Sequence, residues 1–257
     1  MRQKAKLALL GLVLVAAASG SATAQETKAP APKPAPALPS VDQILDKYVQ
    51  ALGGKAAIEK LNSRVTKGRF EVPEQGLTGS LDAYAKAPNK TASVVEITGV
   101  GQFRQGFDGT LAWADNPMAG FRELSGQELA NTKRSSDFYQ SLKLRQLYPK
   151  MTLKGTEKVG QRESYVVEAD PGDGSLRRMY LDVETGLLVR NDTELDTATQ
   201  GRMKIEVYFD DYKEVDGVKV PFTVRQVNPN ISWVIKATEV RHNVPVDDAK
   251  FAKPSAQ

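Results

Sequence analysis

Few residues of this chain could act as a catalytic group. It has no cysteine and one histidine, His242, among 257 residues, which excludes disulfides, thiolate metal sites and cysteine nucleophiles. Asn243 follows His242 at the end of a predicted strand, and no G-x-S-x-G sequence supplies a serine for the histidine to activate. We therefore interpret His242 as a structural or solvated residue and predict that the protein is not an enzyme.

Acidic and glycine-rich stretches give no better site. Asp170-Pro-Gly-Asp173-Gly174 resembles part of a calcium loop, but the spaced acidic ligands and terminal glutamate are absent, so a tight hairpin turn is predicted. Asp210-Asp211 and Asp247-Asp248 are adjacent pairs, which face opposite sides in a strand and cannot share acid–base work. Gly99-Val100-Gly101 continues no phosphate-binding pattern. The sequence predicts no metal and no cofactor.

Two N-terminal segments precede the part that is expected to fold. Residues 1–24 combine a basic start, an apolar run and the sequence Ala22-Thr23-Ala24, which is typical of a signal peptide cleaved before Gln25. The apolar run, Leu7 to Ala18, is shorter than the roughly 20 residues of a membrane span. Residues 25–39 hold five of the 14 prolines and are predicted to form a disordered spacer. We expect a secreted, periplasmic protein.

Charge gives no indication of a nucleic-acid partner. The formal net charge is +4, from 35 basic and 31 acidic residues. Without residues 1–39, basic and acidic residues are equal in number. A protein that binds nucleic acid needs a basic face to neutralise phosphates, and none is expected here.

A helix is predicted at the start of the folded part, residues 40–257. Ser40 and Gln43 fit a capping box, and Gly53 and Gly54 are expected to end the helix, with a shorter helical stretch continuing to Leu61. Apolar residues follow the cap at helical spacing: Val41, Ile44, Leu45, Tyr48, Val49 and Leu52.

Alternating apolar and polar residues then predict an antiparallel meander of about ten or eleven strands. Asp108-Gly109 and Asp216-Gly217 indicate hairpins. Ser125 and Glu128 fit a second capping box, so one or two helices are predicted between Ser125 and Leu147. Strands are expected at 77–86, around both hairpins, and near 64–72, 92–98, 151–156, 158–169, 176–182, 187–194 and 231–241.

The predicted fold class is α+β: a large curved antiparallel sheet, a half-open barrel, covered by α-helices. Inward-facing residues would line either a packed core or an apolar cavity, and periodicity does not distinguish the two. Residues that share a face of their strand or the helix stripe are the candidate ligand-binding residues: Ile44, Leu45, Tyr48, Leu52, Phe103, Leu111, Trp113, Met179, Ile205, Val207, Phe222 and Trp233.

Three short stretches resemble the periplasmic lipoprotein-carrier superfamily of LolA and LolB. GSLDAYAKAPN (79–89) is similar to a strand of that family ending in Pro-Asn, FDGTLAWADNP (107–117) to its Asp-Gly hairpin, and VDDAKFAKP (246–254) to its C-terminal sequence. The resemblance implies a half-barrel with a helical lid over an apolar cavity that takes up acyl chains. In LolA-type carriers an arginine before Pro-Asn holds the lid shut, and here that position is Ala87.

Two functions remain open at this stage. The first is a periplasmic carrier for lipid, lipoprotein acyl chains or another apolar ligand, bound non-covalently between sheet and helices, with transient membrane contact. The second is an envelope interaction or sensor module that uses the same scaffold with a filled core and binds an envelope protein partner.

Overall fold

Thirteen strands and four helices make up the described part of the chain, residues 38–198 and 200–254 of this computed structural model. The predicted signal peptide (1–24) and nearly all of the predicted spacer (25–39) lie outside these residues. The helices are α1 Val41–Ala51, α2 Lys55–Glu59, α3 Gly126–Ser135 and α4 Leu144–Leu147. The strands are β1 Ser63–Val72, β2 Leu77–Lys86, β3 Lys90–Ile97, β4 Gly101–Phe107, β5 Ala112–Asn116, β6 Gly120–Glu123, β7 Lys150–Val159, β8 Arg162–Asp170, β9 Leu176–Asp182, β10 Leu188–Thr197, β11 Gly201–Val215, β12 Val218–Val227 and β13 Ser232–His242.

All thirteen strands belong to one antiparallel sheet, in the order β6-β5-β4-β3-β2-β1-β13-β12-β11-β10-β9-β8-β7. The first strand therefore pairs with the last, and β6 and β7 are the two edges. The connection between these edge strands, residues 124–149, contains α3 and α4. The predicted architecture, an open antiparallel sheet with helices, is confirmed.

The cap of α1 confirms the first capping box. The backbone N–H of Gln43 donates to Ser40 Oγ at 3.2 Å, and the N–H of Ser40 donates to Gln43 Oε1 at 2.8 Å. After α1, Gly53 and Gly54 adopt positive φ angles of 122° and 83°. The helix therefore ends where the two glycines predicted its end.

The prediction of a second capping box is wrong, although the helix itself starts where it was predicted. Ser125 precedes α3, but its side chain accepts no capping hydrogen bond. Glu128 instead accepts two hydrogen bonds from Arg122, at 2.7 and 2.9 Å. A bidentate arginine pair is stronger than a neutral capping contact, so this carboxylate connects α3 to edge strand β6.

The number of strands and one boundary also differ from the prediction. The sheet has thirteen strands instead of ten or eleven. Strand β6 was missed because it is four residues long and its Phe121 is exposed, so it shows no apolar alternation. The strand predicted at 158–169 crosses a turn at Gly160 (φ 61°), and its first residues belong to β7.

The sheet face covered by α1 and α4 is called the inner face here. At the end formed by β7 to β10 this face is filled by a core cluster. Ile44 and Leu45 of α1 and Leu144 of α4 pack there against Val167 and Met179, all at most 7% exposed. This core fixes the helices on one half of the sheet.

The outer face carries a second layer, formed by residues 243–254, the C-terminal segment. Phe251 is completely buried against Val65 and Ala92. Lys86 Nζ donates to the carboxylate of Asp248 at 2.8 Å, which places Lys86 on the outer side. No helix within residues 38–198 and 200–254 has the length and apolar character needed to cross a membrane.

Candidate functional site

A cavity of about 300 Å³ lies between the inner face and its helical cover. Its walls come from α1, α2, the segment after α3, and strands at both sides of the sheet. Apolar side chains and polar ones share the lining. The apolar and aromatic residues are Tyr48, Leu52, Ile58, Leu61, Ala85, Phe138, Leu188, Phe209, Tyr212, Val218, Val220 and Pro221.

The end of α1 positions Tyr48 and Leu52 over this cavity. A Cβ atom on Gly53 would lie 2.1 Å from the backbone oxygen of Gly217, so only glycine allows the helix end to approach the β11–β12 hairpin so closely. The backbone N–H of Lys219 donates to the carbonyl of Leu52 at 2.8 Å. The end of α1, which covers the cavity, is therefore fixed to the β11–β12 hairpin.

Residues 136–141, which follow α3, form the other part of the cover and are called the cover segment. Its Phe138 N–H donates to the carbonyl of Pro88 at 2.9 Å, and the hydroxyls of Ser136 and Thr91 are 2.7 Å apart. These two contacts join the cover segment to the β2–β3 hairpin directly beside Ala87. Hydrogen bonds from residues beside Ala87 thus hold the cover segment on this hairpin.

An apolar row continues from the cavity across the inner face. Phe209, Val224, Ile235 and Phe70 are paired in succession on β11, β12, β13 and β1, so their side chains share one face. Phe70 is 7% exposed and packs against Trp233, whereas the first three are only partly buried. The inner face therefore keeps accessible apolar surface beyond the cavity.

Three cationic side chains belong to the polar part of the lining: Arg64 of β1, Arg177 of β9 and Lys219 of β12. Arg177 Nη1 donates to the hydroxyl of Tyr148 at 2.8 Å, and its Nε donates to Asn191. Arg64 is exposed to solvent, whereas Arg177 is half-buried. Burial raises the pKa of Tyr48, and the nearby charge of Arg177 opposes that rise.

His242 is a structural partner within the wall. Its side chain is 2% exposed, and Nδ1 lies 3.1 Å from a carboxylate oxygen of Asp216 in the β11–β12 turn. Desolvation lowers its pKa, and the hydrogen bond to Asp216 opposes this shift. The imidazole thus connects β13 to the hairpin that also holds the end of α1.

The candidate acidic groups have ordinary structural contacts. Asp173 lies in the β8–β9 turn and binds Arg134, as expected for a turn and not a calcium loop. Asp210 pairs with Arg162, and Asp248 pairs with Lys86 and Lys90. Within the described ranges no group of three or more metal-ligating side chains comes together.

The structure brings two of the twelve predicted binding residues, Tyr48 and Leu52, to the cavity lining. Ile44, Leu45 and Met179 lie in the adjacent packed core. Phe103 and Trp233 belong to a separate inner-face cluster around Phe70. The remaining residues on β11 and β12 are half-buried outside the lining: Ile205, Val207 and Phe222.

Trp113 and Leu111 were placed on the wrong assumption that face alternation continues through the Asp108-Gly109 turn. Phe107 pairs with Ala112 across a four-residue loop, so Trp113 pairs with Gly106 and faces the outer side. The indole Nε1 donates to the carbonyl of Phe251 at 3.0 Å, beneath the C-terminal segment. Leu111 lies in the loop itself.

Sequence reasoning missed the cationic lining. Arg64 and Arg177 were not singled out because an arginine in an alternating strand is usually a solvated residue on the polar face. Arg64 could have been noticed, since it occupies the same face of β1 as its partner Ala85 on apolar-patterned β2. Arg177 gave no such indication, because an arginine stands beside it at position 178.

Two larger hollows occur in the described residues, and their linings differ from that of the cavity. One, of about 860 Å³, surrounds the β3–β4 turn and includes Glu71, Glu96 and several backbone-exposing glycines. The other, of about 850 Å³, lies between α1, α2 and residues 139–146 and is lined by Asp46, Lys55 and Glu59. Neither lies between the sheet and the apolar stripe of α1.

Solved structures with the same fold were found by structural comparison. A DUF1329 family protein from Desulfovibrio piger has a TM-score of 0.53 and 18% identity, over 82% of this chain and 97% of its own. A LolA superfamily protein from Nitrosomonas europaea also has a TM-score of 0.53, with 11% identity over 84% of this chain and 99% of its own. A domain from Vibrio parahaemolyticus named for outer membrane lipoprotein sorting has a TM-score of 0.52 and 13% identity, over 82% and 97%.

These similarities confirm the fold that the sequence resemblance implied: the chain has the LolA-like fold. The sequence itself matches no family model and none of the curated proteins. Identities of this size establish the fold alone, and function has to be argued from the site.

Proposed function

We propose that this protein is a carrier that binds a lipid or another apolar ligand non-covalently in the cell envelope, in the cavity between its sheet and its helices. The observation that carries the proposal is the cavity of about 300 Å³, whose lining includes Leu52, Phe209 and Tyr212. Its size is at the lower end of the roughly 300–1,000 Å³ of ligand pockets in proteins. The rival hypothesis, an interaction module, required a filled core.

Burial of apolar surface supplies the binding free energy in this proposal. Removing apolar surface from water contributes roughly 25 cal/mol per Å², so an alkyl chain against the partly covered row of Phe209, Val224 and Ile235 gains affinity without any specific polar contact. The ordering of ligand and side chains offsets part of this gain. The LolA-like fold supports the same proposal, since a domain of this fold is named for lipoprotein sorting.

Export through a cleaved signal peptide belongs to the proposal. Mass spectrometry of the protein secreted by its host tests it, and the expected mature chain begins at Gln25. The same preparation, extracted with solvent, is expected to release a lipid. An empty extract together with the absence of alkyl-probe binding would contradict the carrier function.

A cavity-filling variant tests the location of the ligand. Ala85 lines the cavity, whereas Ala83, two residues earlier on the same strand and face, lies outside it. We expect Ala85→Leu to weaken binding of a fluorescent alkyl probe at least about tenfold and the matched Ala83→Leu to leave it unchanged. Equal effects of the two substitutions would place the ligand elsewhere.

A further inference from the structure

The arginines of this protein fall into two groups by their partners. Of thirteen arginines in the described residues, nine form ion pairs with aspartate or glutamate. The four others are Arg64, Arg69, Arg177 and Arg225. Arg225 stacks 3.9 Å over the ring of Tyr208, and Arg69 lines the hollow near the β3–β4 turn. Arg64 and Arg177 both line the cavity beneath the helices.

The cavity therefore has an uncompensated positive charge among the described residues. Arg64 makes no ion pair and no side-chain hydrogen bond there, and Arg177 is held only by the neutral groups of Tyr148 and Asn191. Asp137 is the single carboxylate in the lining, and Lys143 donates to it at 2.9 Å. No anion of the lining is left to neutralise the two guanidinium groups.

Arg177 is half-buried, and a cation in such a partly desolvated space is destabilised unless an anion accompanies it. A guanidinium group is always charged and presents several N–H donors in a planar arrangement that matches a carboxylate or a phosphate. Arg64 is exposed to solvent, so its guanidinium group is accessible to a ligand. The chemical group that complements this part of the lining is an anionic head group with oxygen acceptors.

The apolar residues of the lining indicate the chemistry of the rest of the ligand. Tyr48, Leu52 and Phe209 provide apolar surface in the same cavity, and about 300 Å³ is small for a ligand with several chains. We infer that the ligand is a single-chain amphiphile with an acidic head group, whose head lies at Arg64 and Arg177 and whose tail lies along the apolar wall. This inference rests on the proposed carrier function and names its substrate class.

Ligands with one tail and different heads test the inference on the unmodified mature protein. We expect dodecanoate and dodecyl phosphate to bind at least about tenfold more tightly than dodecanol in calorimetric titrations, since hydrogen bonds to charged groups are among the strong ones. Dodecyltrimethylammonium is expected to bind more weakly than dodecanol. Inorganic phosphate alone is expected to bind far more weakly than dodecyl phosphate.

Matched arginine variants locate the head group. Arg64→Gln is expected to lower the affinity for dodecanoate about tenfold and to leave that for dodecanol unchanged. Arg69→Gln removes an arginine from the same strand outside the cavity and is expected to change neither. Arg64→Lys, which keeps the charge, is expected to retain part of the preference for the acidic head.

The histidine signal gives a second measurement that needs no variant. His242 is the only histidine, so its imidazole protons can be followed alone by NMR. The charged groups that face it are Asp216 and Arg64. An acidic head bound at Arg64 is expected to raise the pKa of His242, whereas dodecanol is expected to leave it unchanged.

The outcomes separate the two proposals. If dodecanol binds as tightly as dodecanoate, the acidic-head inference is wrong and the carrier function stands. If inorganic phosphate binds as tightly as dodecyl phosphate, the site is an anion site without a tail, and the inference is also wrong. If no alkyl compound binds, the carrier function itself is wrong.

Discussion

Arg64 and His242 occupy directly paired positions on β1 and β13, and both side chains line the same cavity. Burial, together with the positive charge of Arg64, lowers the pKa of the imidazole, while Asp216 opposes the shift. A neutral histidine thus lies beside a cation inside the wall. This relationship makes the stability of the protein depend on pH.

Acidification from pH 7.5 to pH 5 is expected to destabilise the fold through His242. Its pKa is lower in the folded chain than the ordinary value of about 6.5, so the unfolded chain binds a proton first as the pH falls. The stabilisation is complete above about pH 6.5 and is lost as the pH falls toward the lowered value. Urea unfolding at the two pH values measures it. His242→Gln should remove this component, and an equal loss in the variant would refute the assignment.

Substitution of Trp113 is expected to affect stability and not ligand binding. Trp113→Phe removes the hydrogen bond to the carbonyl of Phe251, at a cost of about 0.5–1.5 kcal/mol. Phe251→Ala, which removes a fully buried side chain, should cost about 3–5 kcal/mol. Chemical denaturation and alkyl-probe titration of each variant check this. Loss of probe binding in Trp113→Phe at unchanged stability would contradict the outer-face position.

Weakening the hold on the cover segment is expected to accelerate ligand release. Ser136→Ala removes the contact with the hydroxyl of Thr91, which is worth about 1 kcal/mol, or a factor of roughly five in an equilibrium. Stopped-flow dissociation of a bound alkyl probe should become faster by about that factor. The double variant with Thr91→Val should add little to the single one, because both remove one bond. Full additivity would show that the two hydroxyls act independently.

Strong acid is expected to loosen the C-terminal segment through Asp248. Lys86 and Lys90 hold the pKa of this carboxyl at about 2, below its ordinary value. The contribution to stability is present above about pH 4, the ordinary range of an aspartate, and is lost as the pH falls toward 2. Thermal unfolding midpoints between pH 5 and pH 2 should fall less steeply in Asp248→Asn than in the wild type. Asp247→Asn, which touches neither lysine, is the matched control and should behave like the wild type.

Local sequence signals predicted the parts of the fold whose geometry depends on neighbouring residues. The capping box of Ser40 and Gln43, the glycine end of α1 and the Asp216-Gly217 hairpin depend on contacts within a few residues. They are therefore readable from the chain itself. Glu128 shows the limit, because Arg122 of strand β6 competes for the carboxylate that a capping box requires.

The site was harder to predict because it depends on which strands come together. The length of the β4–β5 loop decided the face of Trp113, and the dipeptide that marks the turn does not fix that length. Arg64 and Arg177 lie on β1 and β9, far apart in the chain and in the strand order, yet both line one cavity. Alternation identifies which residues share a face of the sheet. Only apolar residues were chosen as binding candidates, so the cations on the same face were not considered.

The connection that carries the cover begins at one edge strand, β6, and ends at the other, β7. A single connection is thus attached to both edge strands of the open sheet. If the edge strands move apart, they must extend this connection, and if the connection is displaced, it must move the edge strands. Opening of the sheet and displacement of the cover are therefore coupled in this topology.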